Sequence, residues 1–461
     1  MDLFEEVSAH GRVRAATDAT AWLQAMLDVE AGLARASAQA GLIDTADAEA
    51  IAAACAADRY DAADLGRRAA ASGNPVVPLV RDLTAAVGDP AGAHVHRGAT
   101  SQDVLDSACM LVATHALVVI VDDLRGAADA AAVLARAHRD LPAAGRTLLQ
   151  HAVPTTFGRR SAGWMTALDG AARRLAAVRR SLPVQLGGAA GTLASLGDAG
   201  PAVVAGLAAQ LDLVEPVLPW HTARLPIADL AGALGAAAGA CATVARDVTL
   251  LAQTEVGEVH EAVAGRGGSS TMPHKRNPVA AIATLGAAGA APGLVATLLA
   301  AMPQEHERAA GAWHAEWAPC TQLLRTVGSA AAWLRDSLTV LEVDVEQVRA
   351  NVDLTGGLLL AERVTTALSA DLGRLPAHDL VSGASERALA EGTDLRTQLT
   401  KLPEVTRALD DDTLTRLLDP GDATATAVAQ VDRALARHDR TASDSTVPDV
   451  VPGRLDGRDP T

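Results

Sequence analysis

Three stretches of this chain, 102–138, 226–263 and 318–350, keep a helical apolar period well beyond the roughly 8–20 residues of an ordinary globular helix. Helices of that length cover their apolar stripes only by lying side by side, which constrains the fold to a long bundle. The side chains that fill them suit close packing: Phe, Tyr and Trp together make up 2% of the chain, and Ala, Leu and Val occupy most apolar positions. In "LAGALGAAAGACATVA" (230–245) the residues are small enough for two helix axes to approach closely. Shorter segments follow the same rule. Trp22, Met26, Val29 and Leu33 fall at i, i+4, i+7 and i+11, and Gly41 ends that helix. Further helices are predicted at 46–58, 157–181, 200–212 and 279–302, with no alternating strand pattern and no internal repeat. The expected class is all-α.

A chain of 461 residues exceeds a single ordinary core. The predicted division is an N-terminal helical domain over 1–104, a central long-helix domain over 105–348, a small C-terminal helical domain over 349–440, and a tail over 441–461 with little to bury, read as disordered. So much apolar helix surface also predicts a homo-oligomer.

Several function classes are disfavoured. The formal charge is −16 with no Lys/Arg-rich block, which speaks against nucleic acid as a partner. Cys55, Cys109, Cys241 and Cys320 have neither metal-ligand nor disulfide-framework spacing, so no metal is expected and a reducing, cytoplasmic setting fits. "MDLFEEVSAHGRV" lacks the basic and apolar regions of an export signal. Val279–Met302 is uncharged and long enough to span a bilayer, but it is rich in Ala and Gly and Pro292 interrupts it. A buried core helix is the expected reading, with no membrane partner.

Polar chemistry collects in breaks between the helices. "HVHRGATSQD" (94–103) brings His94, His96 and Arg97 before hydroxyls Thr100 and Ser101 at the start of a helix. Those hydroxyls either cap the helix or, with its N–H groups, hold a carboxylate. "GRTLLQHAVPTTFG" (145–158) carries Arg146, Thr147, Gln150 and His151. "GGSSTMPHKRNPV" (267–279) gathers Ser269, Ser270, Lys275, Arg276 and Asn277 in a run fenced by glycines and prolines. It is not a phosphate loop, because the GxxxxGK[ST] order is absent and no strand precedes it.

"GSSTMPHKRNP" (268–278) matches the signature GSSxMPxKxNP of the fumarase/aspartase superfamily at every defined position. "HRGATSQDVLDSA" (96–108) resembles that superfamily's first conserved region and "GRTLLQHAVPTTFG" its second, with the likeness extending over roughly 15–435. The resemblance implies three helical domains, a homotetramer with a 20-helix core, active sites each built from three subunits, and cofactor-free elimination or addition next to a carboxylate. By position, Ser269 resembles the serine that moves the proton alpha to the carboxylate, and Lys275 and Asn277 the groups that hold the carboxylate as charge develops. His96, Arg97, Thr100, Ser101, Thr147, Gln150, Ser270, Met272 and Arg276 fall at or beside substrate-binding positions. A serine is a weak base unless its alkoxide is stabilised, which Lys275 and loop N–H groups supply once water is excluded.

Two departures narrow the branch. Where fumarases and adenylosuccinate lyases read Arg-Thr-His, this chain reads Arg146-Thr147-Leu148, and the glutamate expected seven residues after the signature lysine is Ile282. Expelling hydroxide or an amine needs a proton donor; expelling a carboxylate, whose conjugate acid has a pKa of about 4, does not. "SGNPVVPLV" (72–80) and "QEHERAAGAWHAEW" (304–317) are similar to the bacterial 3-carboxy-cis,cis-muconate cycloisomerases of protocatechuate catabolism, which close a lactone. This resemblance implies a small polycarboxylate substrate, with Arg308 and Arg146 as further carboxylate-binding candidates because guanidinium forks grip carboxylates at two points. His151, three residues after the missing histidine, either supplies a proton or hydrogen bond or is structural. Trp313 and Trp317 either line the pocket or pack their helix. Arg97 and Leu148 stand where those cycloisomerases tend to have Trp. The alternatives are another lyase of the superfamily, adenylosuccinate lyase-like, and a non-catalytic crystallin-like protein.

Overall fold

The computed structural model describes residues 3–263, 265, 267–268, 271–272 and 274–444, with side chains to Arg440. Its framework is a set of long helices: α1 (Ala19–Gln39), α2 (Thr45–Ala54), α3 (Ser101–Ala137), α4 (Phe157–Arg179), α5 (Leu225–Leu251), α6 (Val279–Ala300) and α7 (Ala312–Thr339). The longest, α3, has 37 residues and therefore runs about 55 Å. It starts where Thr100 and Asp103 form a reciprocal capping box. Along its length Ala108, Ala113, Ala116, Ala127, Ala128, Ala131, Ala132 and Ala135 are buried, and these small residues let α4 and α7 pack closely. The class is all-α.

The connections fix the direction of each helix. A β-hairpin, β1 (Pro142–Thr147) and β2 (Gln150–Thr156), turns the chain from the end of α3 into α4. Arg224, just before α5, reaches Asp106 on the second turn of α3, so α5 starts beside the start of α3. It ends near β3 (Val259–Glu261), which pairs with β4 (Leu341–Val343) directly after α7. Glu261 accepts from the N–H groups of Ala280 and Ala281 at the start of α6 and from Ser337 Oγ near the end of α7. At the opposite end Trp313, in the first turn of α7, donates to Asp106. The bundle therefore has two ends. One gathers residues 94–106, 185–191, 220–224 and 304–317; the other gathers the hairpin, β3–β4 and the segment between β3 and α6. The 28 residues of α7 put them about 42 Å apart.

The main apolar core extends from Val13 to Leu435. A second, smaller one is built from Val364, Leu368, Val381, Leu395, Leu399, Val405 and Leu414. The last helix, α8 (Ala425–Asp444), packs back on α4 and returns Val431 and Leu435 to the main core.

Five sequence-based expectations are corrected. The helix expected over 226–263 stops at Leu251 and is followed by β3, and the one expected over 318–350 begins at Ala312, ends at Thr339 and gives way to β4. These two-stranded ladders and the hairpin were hidden because strands of three to seven residues are too short to show an alternation. Pro292 does not interrupt α6, which continues through it; packing in the bundle outweighs the roughly 3 kcal/mol a helix-interior proline costs. Nor is α6 covered on all sides by its own chain, since only Ala280, Ala281, Thr284, Ala288, Ala291 and Leu298 of its 22 residues are buried. Finally, α8 runs past 440 to Asp444; residues 445–461 of the expected tail lie outside the described residues. Among the described residues three helices, α3, α5 and α6, are long and apolar enough to cross a membrane, but α3 uses that apolarity inside the bundle, where 78% of its most apolar window is buried.

Candidate active site

At the first end, Thr100 serves as a helix cap: its side chain accepts from the backbone of Asp103, whose Oδ2 in turn accepts from Thr100 N at 2.9 Å. Ser101 opens the helix behind it. Asp103 also accepts from Gly187 N and Gly188 N, both at 2.9 Å, and lies 2.7 Å from His221 Nε2. This one carboxylate thus ties three chain segments together. His96 Nδ1 lies 2.7 Å from Glu30 Oε1, and Arg97 Nη1 lies 3.4 Å from His94 Nδ1. Arg308 is brought to the same place. It donates to Gln102 Oε1 at 3.0 Å and to the carbonyls of Ala189 and Gly188 at 2.8 and 3.3 Å. These partners are neutral, so they aim the guanidinium without cancelling its charge.

Behind them sits a buried ion cluster. Arg224, 1% exposed, forks onto Asp106 at 2.7 and 3.0 Å and onto Glu316 at 2.6 and 3.0 Å. Gln304 also donates to Glu316, so the cluster anchors the 304–317 segment that presents Arg308. Trp313 belongs to this anchor, with its indole on Asp106 and its ring packed edge-on against Trp317.

The second end carries the hairpin and the signature segment. Arg146 pairs across the hairpin with His151, and Thr147 with Gln150. The two-residue turn is Leu148–Leu149, both at positive φ (50° and 65°), a conformation that glycine and asparagine usually fill. Both leucines are displayed, Leu148 at 97% exposure and Leu149 at 69%. Arg146 is held by an ion pair, with its side chain 19% exposed. Its Nη2 donates to the buried Glu258 at 2.5 Å, and Glu258 also takes Arg160 at 3.1 Å and Asn351 at 3.0 Å. His151 is half-buried. Burial first, and then the charge of Arg146, lower its pKa against the opposing pull of Glu258.

Asn277 donates from both its backbone N (2.9 Å) and Nδ2 (3.0 Å) to the carbonyl of Gly267, and Gly268 bridges to Arg276. Gly267 is required there: its φ is +77°, and a Cβ would stand 2.3 Å from the Asn277 carbonyl. Lys275, whose N–H donates to Met272 O, is exposed, as are Met272 and Arg276. Lys275, Arg276 and Asn277 line a cleft of about 690 Å³ with His260, His274 and Ile282. Ser269 and Ser270 lie outside the described residues.

The fold therefore gathers the expected site residues into two groups. His96, Arg97, Thr100, Ser101 and Arg308 sit at one end; Thr147, Gln150, His151, Met272, Lys275, Arg276 and Asn277 sit at the other. Sequence reasoning missed Glu30, Asp103, Arg224, Glu258 and Glu316. Glu30 left a signal, since it continues the apolar stripe Met26–Leu33 with a carboxylate where an apolar side chain belongs. The partners of Glu258 come from 93 or more residues away and left none.

A family model described as "Lyase" matches residues 6–293, and one described as "Adenylosuccinate lyase C-terminus" matches residues 357–434. The chain belongs to the fumarase/aspartase superfamily of lyases. Within this superfamily, it is 46% identical over 441 residues to a 3-carboxy-cis,cis-muconate cycloisomerase of Pseudomonas aeruginosa, covering 95% of this chain and 96% of that one. It is 47% identical over 450 residues to a nitrosuccinate lyase of Streptomyces davaonensis, covering 95% of each. The crystal structure of the 3-carboxy-cis,cis-muconate lactonizing enzyme from Pseudomonas putida superimposes with a TM-score of 0.88 at 43% identity, covering 95% of this chain and 99% of that one.

Proposed function

We propose that this superfamily member interconverts 3-carboxy-cis,cis-muconate and 4-carboxymuconolactone, in the cytoplasm, as a homotetramer whose active sites each draw on three subunits. The observation that carries the reading is the aliphatic pair Leu148 and Ile282, 97% and 51% exposed, at positions where relatives that expel a poor leaving group keep a histidine and a glutamate. No acid is needed there when the departing group is a carboxylate of the substrate itself. Similarity over nearly the whole chain to named cycloisomerases supports the same substrate.

In the ring-closing direction one carboxylate oxygen bonds to a carbon of the double bond, and Ser269 delivers a proton to the carbon alpha to a second carboxylate. In reverse, the Ser269 alkoxide takes that proton and the C–O bond breaks. Lys275, with Asn277, holds the second carboxylate while it carries the developing negative charge. Arg308 and His96 grip the remaining carboxylate charge, and Thr100, Ser101, Thr147, Gln150, Ser270, Met272, Arg276 and Arg97 shape the pocket. His151 supplies a hydrogen bond in its neutral form. Because the two groups stand about 42 Å apart along α7, they meet only when the first end of one chain lies against the second ends of its partners. The proposed domain limits remain 1–104, 105–348 and 349–440.

A second reading is elimination of nitrite from nitrosuccinate, favoured by the 47% identity to a nitrosuccinate lyase over the same 95% of the chain. Nitrite, too, leaves as a weakly basic anion, so the same aliphatic pair suffices. One assay separates them: wild type and Ser269→Ala are incubated with 3-carboxy-cis,cis-muconate, followed by absorbance, and with nitrosuccinate, followed by nitrite. The expected result is carboxymuconate turnover by wild type alone. Nitrite release without carboxymuconate turnover selects the second reading, and equal activity in both proteins removes Ser269 from the mechanism.

A further inference from the structure

Glu30 lies on the apolar face of α1 with its side chain fully covered, and nothing in the superfamily match or in the reaction scheme above assigns it a role. Its Oε1 meets His96 Nδ1 at 2.7 Å, and its Oε2 has no hydrogen-bond partner among the described residues. A buried carboxylate with one partner is tolerable only if that partner is a cation, because the desolvation of a lone charge is large. His96 is itself held in an unusual conformation, with φ +58°, in the left-handed region that few non-glycine residues enter. The segment keeps it there: Gly98 follows at φ +76°, and Leu196 closes so tightly that a Cβ on Gly98 would stand 2.5 Å away. Strained residues of this kind persist where the surroundings over-determine them, typically at ligand sites.

The His96 side chain keeps 20% of its surface exposed, and with Nδ1 committed to Glu30 the nitrogen left for a ligand is Nε2. The charged and titratable groups on the surrounding elements are Glu30 on α1, Asp47 on α2 (3.5 Å from His94), Asp103 on α3 with its partner His221, and Arg97 and Arg308. Burial works against a charged ring; the hydrogen bond and charge of Glu30, with Asp103 beyond, outweigh it and leave the pKa above the ordinary histidine value.

We propose that Glu30 is a positioning residue that fixes the His96 ring through Nδ1, so that Nε2 faces one carboxylate of the substrate beside Arg308. The proposal rests on the reading above only in taking the substrate to be a polycarboxylate. The test uses the full-length protein with its 13 histidines selectively carbon-13 labelled, the His96 ring signal being the one missing from His96→Gln. In Glu30→Gln that signal is expected to titrate at lower pH than in wild type. At a pH between the His96 titration midpoints of wild type and variant, KM for carboxymuconate is expected to rise about tenfold with kcat held, since a charge-assisted contact is lost from binding. Glu30→Asp restores part of both, and serves as the variant of record if Glu30→Gln does not fold. A His96 signal that titrates identically in wild type and variant, or a KM that does not move, overturns the proposal. Should wild type fail to turn over carboxymuconate, the functional reading falls while the titration still decides the role of Glu30.

Discussion

Subunit sharing can be tested by mixing two inactive proteins. Lys275→Ala removes the cation at the signature end, and Arg308→Ala removes the one at the other end. The 28 residues of α7 separate those ends by about 42 Å, whereas a substrate with a six-carbon backbone spans less than about 10 Å. No chain can therefore offer both residues to one substrate molecule. Each protein alone should be inactive, because every site then lacks one cation. When equal amounts are unfolded in urea and refolded together, each site draws its two ends from independently chosen chains, so about a quarter of sites regain both groups. The assay is carboxymuconate turnover by absorbance, with mixed tetramers confirmed by native mass spectrometry on chains of different tag mass. Mixed tetramers no more active than their parents, or a monomer that turns over substrate, would refute the reasoning.

Three further outcomes follow from particular contacts. Arg224→Met leaves Asp106 and Glu316 buried without their shared cation, which should cost about 3–5 kcal/mol in urea unfolding followed by tryptophan fluorescence; a loss under about 1 kcal/mol would show the cluster to be dispensable. For Glu258, burial raises the carboxyl pKa, but Arg146, Asn351 and Arg160 outweigh it and hold the folded value below the ordinary 4.5. Its contribution to stability is therefore complete above 4.5 and is lost as pH falls through the depressed folded value, so Glu258→Gln should flatten the acid limb of the stability curve. Superimposable acid limbs would count against that. Gly267→Ala drives a Cβ to 2.3 Å from the Asn277 carbonyl at φ +77°, and should abolish turnover with the assembly intact; wild-type turnover would mean that this loop conformation is not the working one.

Helix positions were legible because they depend on neighbours within a turn or two. The spacing of Trp22, Met26, Val29 and Leu33 describes α1, and the ends expected for 102–138 and 157–181 fall within two residues of the observed ones. The overrun to 263 has the opposite cause. Residues 252–263 include Gly257 at φ +63°, and beyond it β3 pairs with β4, some 80 residues away in the chain. Thr100 shows the same limit on a smaller scale. Capping and carboxylate binding use the same hydroxyl and the same N–H groups, and only the geometry of Asp103 shows that the cap is made. The ion pair of Arg146 was not legible because its partner Glu258 is 112 residues distant.

Read as a string of side chains, the protein already declared its helical class and, through the signature at 268–278, its superfamily. Those conclusions depend on local period and on residue type, which a linear order preserves. Only the tertiary structure decided that the polar segments collect at opposite ends of the bundle, that Arg224 and Asp103 hold the segments of the first end together, and that Glu30 stands behind His96. Charge pairing acts through space at a few ångströms, and the chain brings such partners together from 66 to 118 residues apart without marking them in between.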